Sequence, residues 1–324
     1  MIPGIMAKIS DGIYEVRKLL KEIPPMEVLE LIQNLWSRYS PNPAGSCISG
    51  VDSGYNYLEM RGYVVYLVDA VYISSCGGGD GNARVGVIHS ERDPEVYLPF
   101  LSILLEIEMI ERARISSKLV IVDGSLISKL GFLLRRAPGS LDEGDSEEAI
   151  RAAKRLLELS LDEGSMVIYL SKNSVSRDLM HIFFPRSYKS LRSDFYYFDR
   201  YTYEPGYSRP VLVGYDSDSP GAGSLIELSR RMLGIGSLYI ALSYIRTKAG
   251  GPIMRLEIPL KAPLDSDAMV RMAIDSISGD VRGYPLVLRE ADRLARISSR
   301  DMDRIKRLLG LGSEDQAWEA AKIL

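Results

Sequence analysis

Two aspartates sit in settings that could do chemistry. Asp52 lies in Ser49-Gly50-Val51-Asp52-Ser53-Gly54-Tyr55, and Asp123 in Leu119-Val120-Ile121-Val122-Asp123-Gly124-Ser125-Leu126. Each directly follows a valine and is closely followed by glycine. That is the pattern of a buried strand ending in a carboxylate where the chain turns out to solvent. If the two strands are neighbours, the carboxylates stand side by side. Like charges so close repel strongly, and such an arrangement usually persists because a cation neutralises it. All-oxygen donors suit a hard ion such as Mg²⁺ or Mn²⁺. The plainer reading of either residue is a turn-capping aspartate beside glycine.

The elements that must position these carboxylates can be traced along the chain. Residues 10–40 read as helix, broken at Pro24-Pro25, with Met26, Leu29, Ile32 and Trp36 at helical spacing and Pro41-Asn42-Pro43 closing the segment. A β-rich block follows: a short strand over 46–52, a long β-branched and aromatic strand over 62–74, a glycine turn over 77–82 and a third strand over 84–89. Asp93-Pro94 opens a helix running to about Arg114, and 118–122 is the fourth strand, bearing Asp123. The order is βββαβ. Further on, 146–159 reads as helix, 166–170, 237–246 and 253–258 as strands, and 225–232, 266–277, 285–298, 301–309 and 314–323 as helices. Nothing of linker composition separates these blocks. The expected organisation is a helical N-terminal extension over 1–44 and a single domain over 45–324.

Composition narrows the function classes. The chain has 324 residues, 46% hydrophobic and 26% charged, which is globular and ample to bury a core. No apolar run approaches the roughly 18 residues that span a membrane, and the N-terminus carries no secretory signature, so the expected compartment is cytoplasmic. Cys47 and Cys76 lack zinc-type spacing; a single bridge between them is compatible with a thermophilic protein. Thermophily is also suggested by two Gln and five Asn in the whole chain, against abundant Arg, Glu, Ile, Leu and Tyr. The net charge of −3 argues against a wholly basic nucleic-acid surface, but Arg282–Arg307 holds eight Lys/Arg against four Asp/Glu. A second stretch, 177–209, interleaves basic residues with Phe183, Phe184, Tyr188, Phe195, Tyr196 and Tyr197, a combination that can hold a single strand. Its plainer reading is core aromatics with solvated arginines. No GxxxxGK[ST] motif occurs, so ATP hydrolysis is not expected, and Gly77–Gly81 joins two strands rather than cradling a phosphate.

Three strands, a helix and a fourth strand form the opening of an RNase H-like α/β fold, a mixed sheet flanked by helices. In that architecture carboxylates from the first strand, first helix and fourth strand converge with one from a late helix. Together they hold two divalent ions about 3.5–4 Å apart for phosphodiester hydrolysis. Asp52 and Asp123 fill the strand positions. The helix offers Glu106, Glu108 and Glu111, and a helical wheel sets Glu108 and Glu111 nearer the Phe100/Leu104/Ile107 stripe.

From about residue 45 to 298 the sequence resembles the archaeal and bacterial NurA nucleases. The resemblance rests on Val-Asp-Ser-Gly (51–54), Leu-Glu-Ile-Glu (105–108), Val-Asp-Gly-Ser-Leu (122–126), Leu-Ser-Lys-Asn-Ser-Val-Ser-Arg (170–177), Arg255-Leu256-Glu257-Ile258-Pro259, and Gly-Tyr-Pro-Leu (283–286) before Glu290-Ala291-Asp292-Arg293-Leu294-Ala295. It implies a dimeric, manganese-dependent nuclease that digests DNA from 5′ ends, with possible endonuclease action on single strands. The implied setting is recombinational end resection, with the hexameric DNA-translocating ATPase HerA as partner. By position, Asp52, Glu106 and Asp123 match the family's metal carboxylates, Tyr284 its active-site tyrosine, and Lys172 a basic motif suited to a phosphate. The plainer readings are a solvated helix charge for Glu106, a solvated loop lysine for Lys172, and core packing beside Pro285 for Tyr284. His89 and His181 have no metal-spaced partner and read as structural.

One position departs from the family. Eight residues after the tyrosine the family usually places a histidine, and this chain has Asp292. Aspartate can ligate Mn²⁺ or Mg²⁺ but cannot donate a proton as an imidazolium does near neutral pH. The alternative function is therefore a weakened paralogue serving as a non-catalytic DNA or ATPase adaptor.

Overall fold

The computed structural model describes residues 9, 12–14, 24–42, 45–89, 92–214, 222–263, 265–277 and 283–311. The expected helix over 314–323 and most of the segment 1–23 lie outside these residues. Helix α1 (Met26–Leu35) starts after Pro25 and buries Val28, Ile32 and Leu35. It ends at Leu35 because the chain is captured by a sheet. Trp36–Arg38 forms strand β1, paired antiparallel to β7 (Gly206–Ser208), and Arg209 N–H donates to the Leu35 carbonyl at 2.8 Å. The reading of 10–40 as helix throughout is therefore corrected at 36–38, where tertiary pairing overrides local periodicity.

The βββαβ order is present. Strand β2 (Ile48–Glu59) and β3 (Tyr63–Ser74) form a long hairpin, with Gly62 at φ +88° in its turn, and β4 (Gly79–His89) pairs antiparallel to β3. Helix α2 (Pro94–Ser116) is capped by Asp93, whose side chain accepts from the Glu95 amide, and it leads to β5 (Leu119–Asp123). Beyond β5 come α3 (Leu126–Gly131), α4 (Glu143–Ser160), β6 (Met166–Ser171), α5 (Asp178–Phe183), α6 (Asp194–Tyr201), β7, β8 (Val211–Val213), α7 (Ala222–Leu233), β9 (Tyr239–Arg246), β10 (Met254–Leu260), α8 (Ser266–Ile277), α9 (Leu286–Leu294) and α10 (Ser299–Leu308).

The ten strands among the described residues join one mixed sheet in the order β1-β7-β9-β10-β6-β5-β2-β3-β4, with β8 on β9. Strands β2, β5 and β6 run parallel and the other pairings are antiparallel. Alternation along the central strands divides the core. Val51, Val120, Val122 and Tyr169 face α2 and α4, whereas Ile48, Ile121, Ile168 and Leu170 face α8 and α9. Cys47 and Cys76 are disulfide-bonded, with Cα atoms 5.4 Å apart, at the open end of the β2–β3 hairpin. In the basic and aromatic stretch, Tyr197 and Phe198 are buried, and Phe198 stacks on Tyr244 at 4.9 Å between ring centroids. For these residues core packing is the correct reading.

Candidate active site

The parallel register of β2 and β5 ends with Val51 opposite Val122, so the next step sets Asp52 beside Asp123. Asp123 ends its strand as expected, and Gly124 turns the chain at φ +94°. Asp52 does not: β2 runs on for seven residues to Glu59. The flanking glycines serve close packing rather than a turn. A Cβ at Gly50 would lie 2.6 Å from the Val287 carbonyl carbon, and one at Gly54 only 2.0 Å from the Ala295 oxygen. Gly50, Asp52 and Gly54 share one face of the strand, and α9 lies directly on that face. This contact delivers Asp292.

Carboxylate oxygens of Asp52, Asp123 and Asp292 lie within 4.8 Å of one another. Lys172, just past the end of β6, crosses the cluster. Its Nζ is 3.0 Å from Asp123 Oδ2 and 3.2 Å from Asp292 Oδ1, and it sits 4.7 Å from the centre of the Tyr284 ring. Burial, then the charges of Asp123 and Glu106, push the Asp52 carboxyl up to about 7. Burial alone would lower the Lys172 ammonium, but Asp123 and Asp292 outweigh it and the net shift is upward. Burial and the three aspartates drive the Tyr284 phenol far above its usual range, so it keeps its proton. That hydroxyl is buried and has no hydrogen-bond partner among the described residues.

Glu106 approaches from the α2 side of the sheet and is outside this trio. It is 4% exposed; Oε1 accepts from Ser53 Oγ at 2.7 Å and Oε2 from the ammonium of Lys129. The competing glutamates point elsewhere: Glu108 pairs with Arg112 and Asn82, and Glu111 with Arg155. His181 packs edge-on against Tyr188 at 4.2 Å, as a structural residue would.

Sequence reasoning gave no role to the network behind Asp123. Glu257, fully buried in β10, accepts from Ser125 Oγ at 2.7 Å and from the Ile127 amide at 3.1 Å. Arg255 closes the network through Glu257 (2.8 Å) and Asp178 (2.7 Å). The network fixes the turn joining Asp123 to α3. An Arg and a Glu alternating within a buried strand were its visible signal, since buried charges occur paired. A cleft of about 580 Å³ opens from Asp123 and Lys172 along Ser125, Asn173, Ser174 and Arg255.

Three converging carboxylates, bridged by a lysine that supplies the compensating charge, have the donor chemistry of a hard divalent cation site. Fold and site together define an α/β protein with a three-aspartate cluster whose donor set suits such a cation. Residues 47–297 match the NurA domain model, and the chain belongs to the NurA family. It is 23% identical to the DNA double-strand break repair nuclease NurA of Sulfurisphaera tokodaii over 325 residues, 93% of this chain and 92% of that protein. It is also 23% identical to the Saccharolobus solfataricus protein of the same name, covering 94% and 91%. The crystal structure of the NurA nuclease from Sulfolobus solfataricus has a TM-score of 0.72 at 22% identity, covering 96% of this chain and 97% of that one. A NurA structure bound to dAMP and manganese has a TM-score of 0.55 at 14% identity, covering 97% and 98%.

Proposed function

We propose that this protein is a divalent-metal-dependent deoxyribonuclease of DNA double-strand break repair. It hydrolyses phosphodiesters at DNA ends with 5′-to-3′ polarity, acts in end resection as a homodimer with a HerA-type ATPase, and works in the cytoplasm on an RNase H-like scaffold. The observation that carries this reading is the convergence of Asp52, Asp123 and Asp292 beside a cleft lined by Asp123 and Lys172, with Lys172 bridging Asp123 and Asp292. The relatives named as repair nucleases, and the NurA structure with manganese and dAMP, support Mn²⁺ and DNA as cofactor and substrate.

Asp52, Asp123 and Asp292 would hold one ion, and Glu106 would add the carboxylate for a second, Mn²⁺ or Mg²⁺. When bound, these ions supply Lewis-acid polarisation of a phosphoryl oxygen and activation of water. The chain's own groups do the rest. Lys172 turns its ammonium from the aspartates to a phosphate oxygen, a point-charge contact suited to lysine. Tyr284 Oη, which keeps its proton, can donate a hydrogen bond to a reacting oxygen without giving the proton up. Asp292 accepts from Lys172 at 3.2 Å and from Arg296 at 3.3 Å, and its place in the cluster suits it to the role of ligand. An adaptor with a decayed site would have no need to keep these acids together, so their convergence favours catalysis.

Linear DNA labelled at the 5′ or the 3′ end, incubated with Mn²⁺ or with a chelator, tests the reading. The expected result is Mn²⁺-dependent early release of the 5′ label as mononucleotide, while the 3′ label remains in long fragments. Digestion that persists in chelator would overturn the metal mechanism, and early release of the 3′ label would overturn the polarity.

A further inference from the structure

Glu106 and Lys129 form an ion pair that is nearly sealed from solvent, with side-chain exposures of 5% and 13%. Both oxygens of Glu106 are engaged, one by Lys129 and the other by Ser53, whose hydroxyl also meets Ser102 Oγ at 2.6 Å. Lys129 is wedged as well as paired. A Cβ at Gly124 would lie 3.6 Å from both its Cε and its Nζ, so the ammonium rests against the turn that follows Asp123. It is thus paired with Glu106, which comes from the α2 side of the sheet, and touches the turn residue next to Asp123. Its helix, α3, is held from behind by the Ser125 and Ile127 bonds to Glu257.

We infer that Lys129 occupies, with its own charge, the position through which a second divalent ion must enter, and so sets how tightly that ion binds. The inference rests on the metal-dependent reading above. Two ammonium groups serve the acids of this region, Lys172 on Asp123 and Asp292 and Lys129 on Glu106, and the two differ in their surroundings. Lys172 is 36% exposed at its side chain and can swing into the cleft, leaving the three aspartates to one ion. Lys129 is enclosed, and Glu106 becomes a ligand only when its bond to Lys129 is broken. A second ion must therefore displace a buried cation whose loss leaves the pair partly uncompensated. One ion binds tightly and the second weakly. Lys129 touches neither substrate nor reacting atoms in this scheme; it is a positioning residue acting through Glu106.

Mn²⁺ titrations of the full chain, read by electron paramagnetic resonance of the free ion, test this without reference to activity. The unaltered protein should bind one Mn²⁺ tightly and a second about tenfold or more weakly. Lys129→Met should tighten the second ion by about that factor and leave the first unchanged. Lys129→Arg, which keeps the charge, should behave as the unaltered protein. In a Glu106→Gln background, Lys129→Met should change nothing. A second ion no tighter in Lys129→Met, with the first retained, overturns the inference and leaves the metal-dependent reading standing. A protein that binds no Mn²⁺ at all overturns both. Should Lys129→Met fail to fold, amine-acylation footprinting of the unaltered protein decides: labelling of Lys129 should rise as Mn²⁺ passes the second, weaker transition, and constant labelling would refute displacement.

Discussion

The ammonium of Lys172 lies 3.0 Å from Oδ2 of Asp123. The two residues leave the sheet at adjacent strand ends, and the contact places a mobile positive charge on a carboxylate proposed to hold metal. Lys172 and a cation therefore compete for the same oxygens. Lys172→Met should leave the affinity for the first Mn²⁺ unchanged or tighter. It should also lower the rate of DNA hydrolysis by about 10²–10³-fold, the range for losing one preorganised charge contact to a developing anion. Metal titration and single-turnover digestion measure the two effects separately. Parallel losses of metal binding and rate would show that Lys172 merely supports the fold of the site.

Asp123→Asn should abolish Mn²⁺-dependent digestion while the protein stays folded. Removing this charge takes away a ligand but also relieves repulsion on Asp52, whose carboxyl is pushed up partly by Asp123. The melting temperature of the metal-free variant is expected to equal or exceed that of the unaltered protein. Circular dichroism showing an unfolded variant would instead identify Asp123 as a structural cap.

Asp52 and Asp123 were legible in the sequence for different reasons. Asp123 closes the apolar run 119–122 and is followed by a glycine with positive φ, and local chemistry dictates both. Asp52 was recognisable as a carboxylate on a strand, but not as mid-strand, because Gly54 answers to the Ala295 carbonyl on a helix some 240 residues away in sequence. The choice among Glu106, Glu108 and Glu111 failed on the helical wheel for a physical reason. Helix α2 buries Val96, Leu98, Leu101, Leu105, Met109 and Ile110 as well as the assumed stripe, so no single apolar face exists from which to measure. Strands β7 and β8, three residues each, are too short to show alternation. The roles of Lys129 and Glu257 depend on contacts 23 and 132 residues apart, which no periodicity records.

Asp69 on β3 should give the metal-free protein a measurable pH dependence. Burial pushes its carboxyl up to about 6, the Gly54 amide opposes this, and Asp301 adds to it. Between the unfolded value near 4 and the folded value, the native state keeps a proton that the unfolded chain has released. This contribution is therefore full below about pH 4 and is lost as pH rises through about 6. Two units correspond to about 3 kcal/mol at most, and partial exposure reduces this to about 1–2 kcal/mol. Asp69→Asn should flatten that part of the profile in urea denaturation at pH 4.5 and 7.5. An unchanged slope would assign the dependence to other groups.

The Cys47–Cys76 bridge should be a substantial stabiliser. It closes a loop of sequence separation 29 and holds the end of the hairpin opposite the Gly62 turn. In the chain-entropy account such a loop contributes about 3–4 kcal/mol. Replacing both cysteines with serine should lower the melting temperature by several degrees, and reductant should do the same to the unaltered protein. Equal melting temperatures with and without reductant would mean that the bridge adds nothing to folding.

The assembly is expected to be a homodimer that docks on a HerA-type ATPase. The sheet ends in β4, whose outer edge has no strand partner among the described residues, and Val85 and Val87 there are 50% and 48% exposed. An open edge strand carrying apolar side chains is a surface that proteins normally cover, and a second copy is the simplest cover. The sequence has no nucleotide-binding motif of the Walker type, so any motor that drives DNA through the site would be a separate protein, and the local basic stretches suit a guiding wall more than a stand-alone grip. Sedimentation should report a dimer, and Val85→Lys with Val87→Lys should shift it toward monomer if β4 forms the contact. A pull-down with the cognate ATPase should retain the chain, and deletion of residues 1–9, which include Ile2, Ile5 and Met6, should weaken retention while the dimer persists. A monomer in sedimentation together with no retention by the ATPase would defeat the assembly. A dimer indifferent to the β4 lysines would move the interface elsewhere on the molecule.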